Sequence, residues 1–274
     1  MSGNHKQENL YAGAEGCCRD TSRISPVPQQ RIIEKLNEYM DRRDYAGAGR
    51  HLLYWLEEAV LGRDLRGELV IRNELIGHYR KTAEEEKALE QINAALALLE
   101  NPEFTGTHII GTTCINAATA CNAFGYNSRA LQLFERARKV YENSDLTDPM
   151  QLAGLYNNMG LTCASLKKFE QAEELYRAAL DTLQPLPDGN LEKAITYLNV
   201  ADLINAEKGS VEGENEIRSL LDQALELLNR DSGRSDGYYA FVCEKCAPTF
   251  AYYGYFPAEN MLKRRAEKIY GETK

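Results

Sequence analysis

The chain has 274 residues, 43% of them hydrophobic, and a net charge of −9. It is long for a single globular core but rich enough in apolar residues to fill an extended one, and its acidic balance argues against a nucleic-acid surface. No apolar run of secretory or membrane-spanning length occurs, so a soluble cytoplasmic protein with no membrane contact is expected.

Residues 1–26 are rich in Gly, Ser, Asn and charge without an apolar helical stripe, and read as a flexible tail that includes Cys17 and Cys18, to which no role is assigned. From residue 27 a register takes over. Pro28 is placed to open a helix through Ile32, Leu36 and Tyr39, and the turn-prone Arg42-Arg43-Asp44 separates it from a second helix carrying Ala48, Leu52 and Trp55. The next pair of helices carries Ile76 and Tyr79, then Ala88, Ile92 and Ala95; the third carries Ala118 and Cys121, then Ala130, Phe134 and Ala137. A fourth carries Gly160 and Cys163, then Ala172, Tyr176 and Ala179. Ala48, Ala88, Ala130 and Ala172 lie 40, 42 and 42 residues apart, and the apolar columns travel with them on a helical spacing. In the fifth pair Ala201 and Ile204 keep the first-helix columns, but Ile217, Leu221 and Ala224 arrive late, which implies an insertion within Glu207–Gly213. A sixth, over about 236–271, places Cys243, Cys246, Ala247 and Phe250 opposite Ala266 and Ile269, puts Glu259 and Lys263 in core columns, and reads as a degenerate polar cap. Pro248 is expected to kink its first helix.

The segment from Leu155 to Leu183 resembles a tetratricopeptide repeat: Tyr156, Met159, Gly160, Phe169, Ala172, Tyr176 and Ala179 fall where that family's packing residues fall. Cys114 to Tyr141 is similar through Ala118, Gly125, Ala130, Phe134 and Ala137. The spacing near 42 exceeds the family's usual period of about 34 residues and is similar to that of kinesin light-chain and bacterial peptide-receptor arrays. The resemblance implies an all-α, right-handed superhelical stack of about six antiparallel hairpins over residues 27–274, with a concave surface that binds a protein or peptide. A peptide receptor of this kind would change conformation on binding a short signal peptide.

Catalytic motifs are missing. The chain has no Gly-rich phosphate loop, nucleophile elbow, paired-histidine zinc motif or carboxylate pair in a catalytic context, so neither enzyme activity nor a cofactor is expected. Cys114, Cys121, Cys163, Cys243 and Cys246 fall in apolar columns and read as small core residues; Cys243-x-x-Cys246 lacks a second pair and the four histidines are scattered, so no metal is expected.

Asn116, Asn158 and Asn199 lie 42 and 41 apart on the first helices, with Asn73 and Asn157 beside that column and Arg80, Asn122 and Asn205 near the same face. A carboxamide both donates and accepts, so such a row suits the backbone of an extended peptide. Asparagines bonding within the array fit the same register, and both readings stand. Arg80 is placed to hold a carboxylate, and Thr112, Thr119 and Asp202 share the face. The aromatic run Tyr238, Tyr239, Phe241, Phe250, Tyr252, Tyr253, Tyr255 and Phe256 either seals the last hairpin, the preferred reading, or forms a pocket at the array's end. Self-association through outer helix faces or the aromatic end is a further option.

Overall fold

The computed structural model describes residues 24–145 and 147–272; the expected tail lies almost wholly outside them, as do Cys17 and Cys18. The described residues form twelve α-helices and no strand. They pair as α1 (Gln29–Asp41) with α2 (Tyr45–Leu61), α3 (Leu65–Lys81) with α4 (Glu85–Leu98) and α5 (Ile109–Ala123) with α6 (Asn127–Glu142). The remaining pairs are α7 (Pro149–Ser165) with α8 (Phe169–Leu183), α9 (Asn190–Lys208) with α10 (Glu214–Arg230) and α11 (Gly237–Tyr252) with α12 (Phe256–Glu272). The chain divides into two compact units, one ending at Ile71 and the other beginning at Arg72.

In the first unit, the α1–α2 and α2–α3 turns are built alike. Asp44 and Asp64 each accept a hydrogen bond from the backbone N–H three residues on, Gly47 at 2.7 Å and Gly67 at 2.9 Å. A side chain at either glycine would collide with the capping carboxylate. Asp64 is buried and accepts a second bond, from the Val27 N–H at 2.9 Å. Ser25, at the end of the expected tail, donates its backbone N–H to the Gly62 carbonyl at 2.9 Å.

The same reversal closes α3, α5, α7 and α11 in the second unit: one residue takes the left-handed conformation, and its amide and the next reach back to the final turn. At α3 the Glu84 N–H donates to the Tyr79 carbonyl at 2.9 Å and the Ala83 N–H to that of Arg80. Glycine stands at this position after α5 and α11, as Gly125 and Gly254, but after α3 and α7 it is Ala83 (φ +58°) and Lys167 (φ +57°). Those two accept the crowding of a Cβ that the left-handed region imposes.

Packing follows the alanine columns. Ala88, Ala130 and Ala172 are wholly buried, as are Ala95, Ala137 and Ala179 one stripe on. Small residues let paired helices approach: a Cβ at Gly160 would overlap the Tyr176 ring, and one at Gly111 the Tyr141 ring. Because the aromatic rings occupy the space the glycines leave, neither side of the contact tolerates enlargement.

The last two hairpins share one core, in which Ile217, Leu221 and Ala224 meet Cys243, Cys246, Ala247 and Phe250. The expected insertion is the loop between α9 and α10, with Gly209 at φ +85°. One expectation is corrected here. Glu259 and Lys263 do not occupy core columns; the buried stripe of α12 runs Ala258, Leu262, Ala266, Ile269, while Lys263 is exposed and pairs with Glu259 at 2.6 Å. Stepping back from Ala266 by four instead of three stays on one helix face and replaces two charges by apolar groups, so burial selects it. Pro248 lies inside α11, which is helical on both sides of it; the proline is exposed, so the amide bond it removes is lost where water is at hand.

Replacing Gly160 by Leu is expected to destabilise the chain by about 1–3 kcal/mol through overpacking against Tyr176, read by urea denaturation followed by circular dichroism. Ala83→Gly relieves the left-handed strain and is expected to stabilise by about 0.5–1 kcal/mol in the same measurement.

Candidate functional site

In the second unit the first helices touch one another in sequence, α5 with α7, α7 with α9 and α9 with α11. Each therefore has one face in the core and one on a shared surface, where the asparagines lie.

The structure divides the row. Asn157, Asn73 and Asn199 are buried at 6%, 9% and 9% exposure, and their amides bond within the array. Asn157 accepts from the Asn199 amide at 3.1 Å and donates to the Thr196 hydroxyl at 2.8 Å, while Asn73 donates to the Thr113 hydroxyl at 2.9 Å. Asn199 holds on α9 the position that Asn158 holds on α7, but it is buried and donates its amide across to Asn157. Asn116 and Asn158, half-buried, form no side-chain hydrogen bond among the described residues. Asn205 donates to the Tyr252 hydroxyl at 3.1 Å, and the Asn122 Oδ1 is enclosed without a partner. Thr112 meets the Tyr141 hydroxyl at 3.2 Å and Asp202 accepts from Tyr253 at 2.9 Å. Arg80 is exposed.

Asn157 and Asn158 lie in the wall of a cleft of about 340 Å³ across α7, α9 and α11. Gly154 opens it: a Cβ there would meet nothing within 4 Å. Ile195, Met150 and Phe241 supply the apolar lining, with Gln151, Glu192 and Lys245 at its polar positions. Tyr238 and Phe241 project from successive turns of α11 with ring centroids 6.3 Å apart and 26° between planes, and remain 44% and 50% exposed. The Tyr238 hydroxyl donates to Glu192 Oε1 at 2.5 Å; surrounding packing and that carboxylate together hold its phenol above the usual range. Glu192 Oε2 is enclosed and has no hydrogen-bond partner.

The aromatic run is split by helical phase. Tyr239 and Phe250 are in the core at 1% and 0% exposure, while Tyr238, Phe241, Tyr252 and Phe256 face outward. Tyr239 and Phe250 thus seal the last hairpin, as the preferred reading has it, while Tyr253 and Tyr255 are half-buried. Glu192, Gln151, Ile195 and Met150 were not singled out in the sequence. The signal was present, since Glu192 stands 41 residues after Gln151 and Ile195 41 after Gly154, but those columns change chemistry at each repeat.

Cys243 and Cys246 are buried free thiols, and burial pushes Cys246 up to about 12. Among the described residues no three His, Cys, Asp or Glu side chains gather in a metal-binding group, and no helix is long and apolar enough to cross a membrane.

No family model and no curated protein matches the sequence. Solved structures do. BtubC (BKLC) from P. vanneervenii is 20% identical, over 90% of this chain and 93% of that one, with a TM-score of 0.51. Two structures of kinesin light chain TPR-like repeats from Podosopora anserina, one of them a single-substitution variant, are each 14% identical over 74% of this chain. They are covered over 94% and 95% of their own lengths, with TM-scores of 0.51 and 0.50. The fold is a TPR-like repeat stack. Within this TPR-like array, the first helices of the last three hairpins, α7, α9 and α11, form the walls of the cleft.

The two neighbouring asparagines are expected to separate in a denaturation experiment. Asn157→Ala strands the Asn199 amide in the interior and takes a donor from the Thr196 hydroxyl, which keeps its bond to the Glu192 carbonyl, and should cost about 1–3 kcal/mol, whereas Asn158→Ala should stay within about 0.5 kcal/mol of the parent.

Proposed function

We propose that the chain is a non-catalytic protein- or peptide-binding module that holds an extended segment in the cleft across α7, α9 and α11. The observation that carries this reading is that the array's core is filled while this surface is not. An unpaired carboxamide at Asn158, an opening at Gly154 and two half-exposed rings meet in one concavity. An extended chain presents backbone donors and acceptors that the carboxamide can satisfy, and aromatic rings give a side chain apolar contact area at small entropic cost. The buried asparagines serve instead to hold the first helices in register, so that the free one is presented on a fixed wall.

The reading is tested by panning the full chain against a displayed library of random peptides and measuring selected peptides by fluorescence anisotropy. Gly154→Leu adds volume where the fold leaves room and exchanges glycine for a better helix former, so the variant should fold at least as well as the parent. It is expected to weaken binding at least tenfold, and Phe241→Ala and Asn158→Ala to weaken it by smaller factors. Undiminished binding by Gly154→Leu would place the partner elsewhere. Small-angle scattering of the complex addresses the receptor alternative, because a conformational switch requires compaction on binding and a rigid adaptor does not.

A further inference from the structure

The two ends of the cleft differ in charge. Around the start of α11, Glu192, Asp231 and Asp236 gather about a single cation, Arg234. Arg234 is committed to the two aspartates, its Nε lying 2.8 Å from Asp236 and its Nη1 3.7 Å from Asp231. Asp236 also caps α11 by accepting the Tyr239 N–H at 3.0 Å, and Asp231 accepts from the Asn190 amide at 3.0 Å. Three carboxylates against one guanidinium leave this end anionic. Glu192 has one oxygen held by Tyr238 and the other enclosed without a partner, so its charge is poorly compensated and little screened by water. At the other end stands Lys245, exposed and without an ion pair among the described residues. Lys245 lies seven residues beyond Tyr238 on α11, a separation of about 10 Å along the helix axis.

Resting on the peptide-binding reading above, we infer that the cleft selects a segment with a basic side chain and an acidic one three residues apart. An arginine lies across Tyr238 and Phe241 with its guanidinium toward Glu192, and the acidic group meets Lys245. Both contacts are chemically matched. Arginine stacks on exposed aromatic faces and is drawn to a nearby carboxylate, and an extended polyproline-type chain returns a side chain to the same side every third residue, about 9 Å on. A doubly acidic segment would set like charge against Glu192, and a doubly basic one would do so against Lys245. Asn158, in the wall of the cleft, remains for the backbone.

Four labelled peptides with one common aliphatic background decide it, bearing Arg/Asp, Arg/Arg, Asp/Asp or Asn/Asn at positions three apart. Their affinities for the full chain are compared by anisotropy at low salt. Arg/Asp should bind tightest, about tenfold over Asn/Asn, with the advantage shrinking as salt rises. Lys245→Glu should transfer the preference to Arg/Arg. Glu192→Gln, which still accepts the Tyr238 hydroxyl, should abolish the advantage of arginine over asparagine. Equal binding of all four peptides overturns the charge selection while leaving the peptide-binding cleft in place, as does an Arg/Asp preference that survives both substitutions. Failure of all four to bind removes the peptide reading as well.

Discussion

The close approach of two helices within each hairpin is the constraint on which the second unit depends. It exists because the contact positions are Ala or Gly, and where a ring enters, as Tyr141 does over Gly111 and Tyr176 over Gly160, the partner has no side chain at all. Tight pairing of this kind buries one stripe of each helix and no more. Between α3 and α5, and between α7 and α9, the neighbouring first helices also meet through hydroxyl and carboxamide bonds. A polar seam of this sort tolerates exposure at its edges, so Asn158 can stand unpaired beside Asn157, and Asn116 three residues from Thr113, without destabilising it.

Much of the fold was legible because packing writes itself in residue size. Ala88, Ala130 and Ala172 define a column that no other helical arrangement explains, and the rings and glycines opposite them keep the same spacing. Legibility fell where size stopped discriminating. On α12, Lys263 and Leu262 are both one turn from Ala266, and the periodicity alone fits either; the apolar choice becomes evident only when the whole stripe from Ala258 to Ile269 is weighed together. On α9, a helix of 19 residues, Asn199 keeps the column of Asn116 and Asn158 yet is buried by its bond to Asn157, which stands one position round α7 from the half-buried Asn158. A shift of one position turns a helix side chain by about 100°, enough to exchange a surface role for an interior one.

The cleft was less legible than the fold for a related reason. Residues that fill a core must agree in volume from one repeat to the next, whereas those on a free surface need agree in nothing. Gln151 and Glu192 occupy matching positions and differ in charge; Gly154 and Ile195 match and differ by an entire side chain. That variation is what makes a local site. Were Gly154 followed by glycine, and Glu192 by another carboxylate, the surface would be a uniform acidic groove. Instead the matching positions of α7 and α9 differ, and this concavity lies where those two helices meet α11.

The aromatic residues of α11 show how one helix serves both purposes. Tyr239 and Phe250 close the core of the last two hairpins, and Tyr239 also donates its hydroxyl to the Leu228 carbonyl at 3.1 Å, fixing α11 against α10. Tyr238 and Phe241, about a quarter-turn and a half-turn from Tyr239 round the same helix, are thereby held at a set orientation over α9. Tyr238 is anchored further by Glu192. Rings immobilised in this way lose little freedom when another molecule covers them, so contact area on them converts to affinity with less entropic opposition than a mobile side chain would meet. The inward rings thus determine what the outward rings can do, which links the cohesion of the last hairpin directly to the recognition surface beside it.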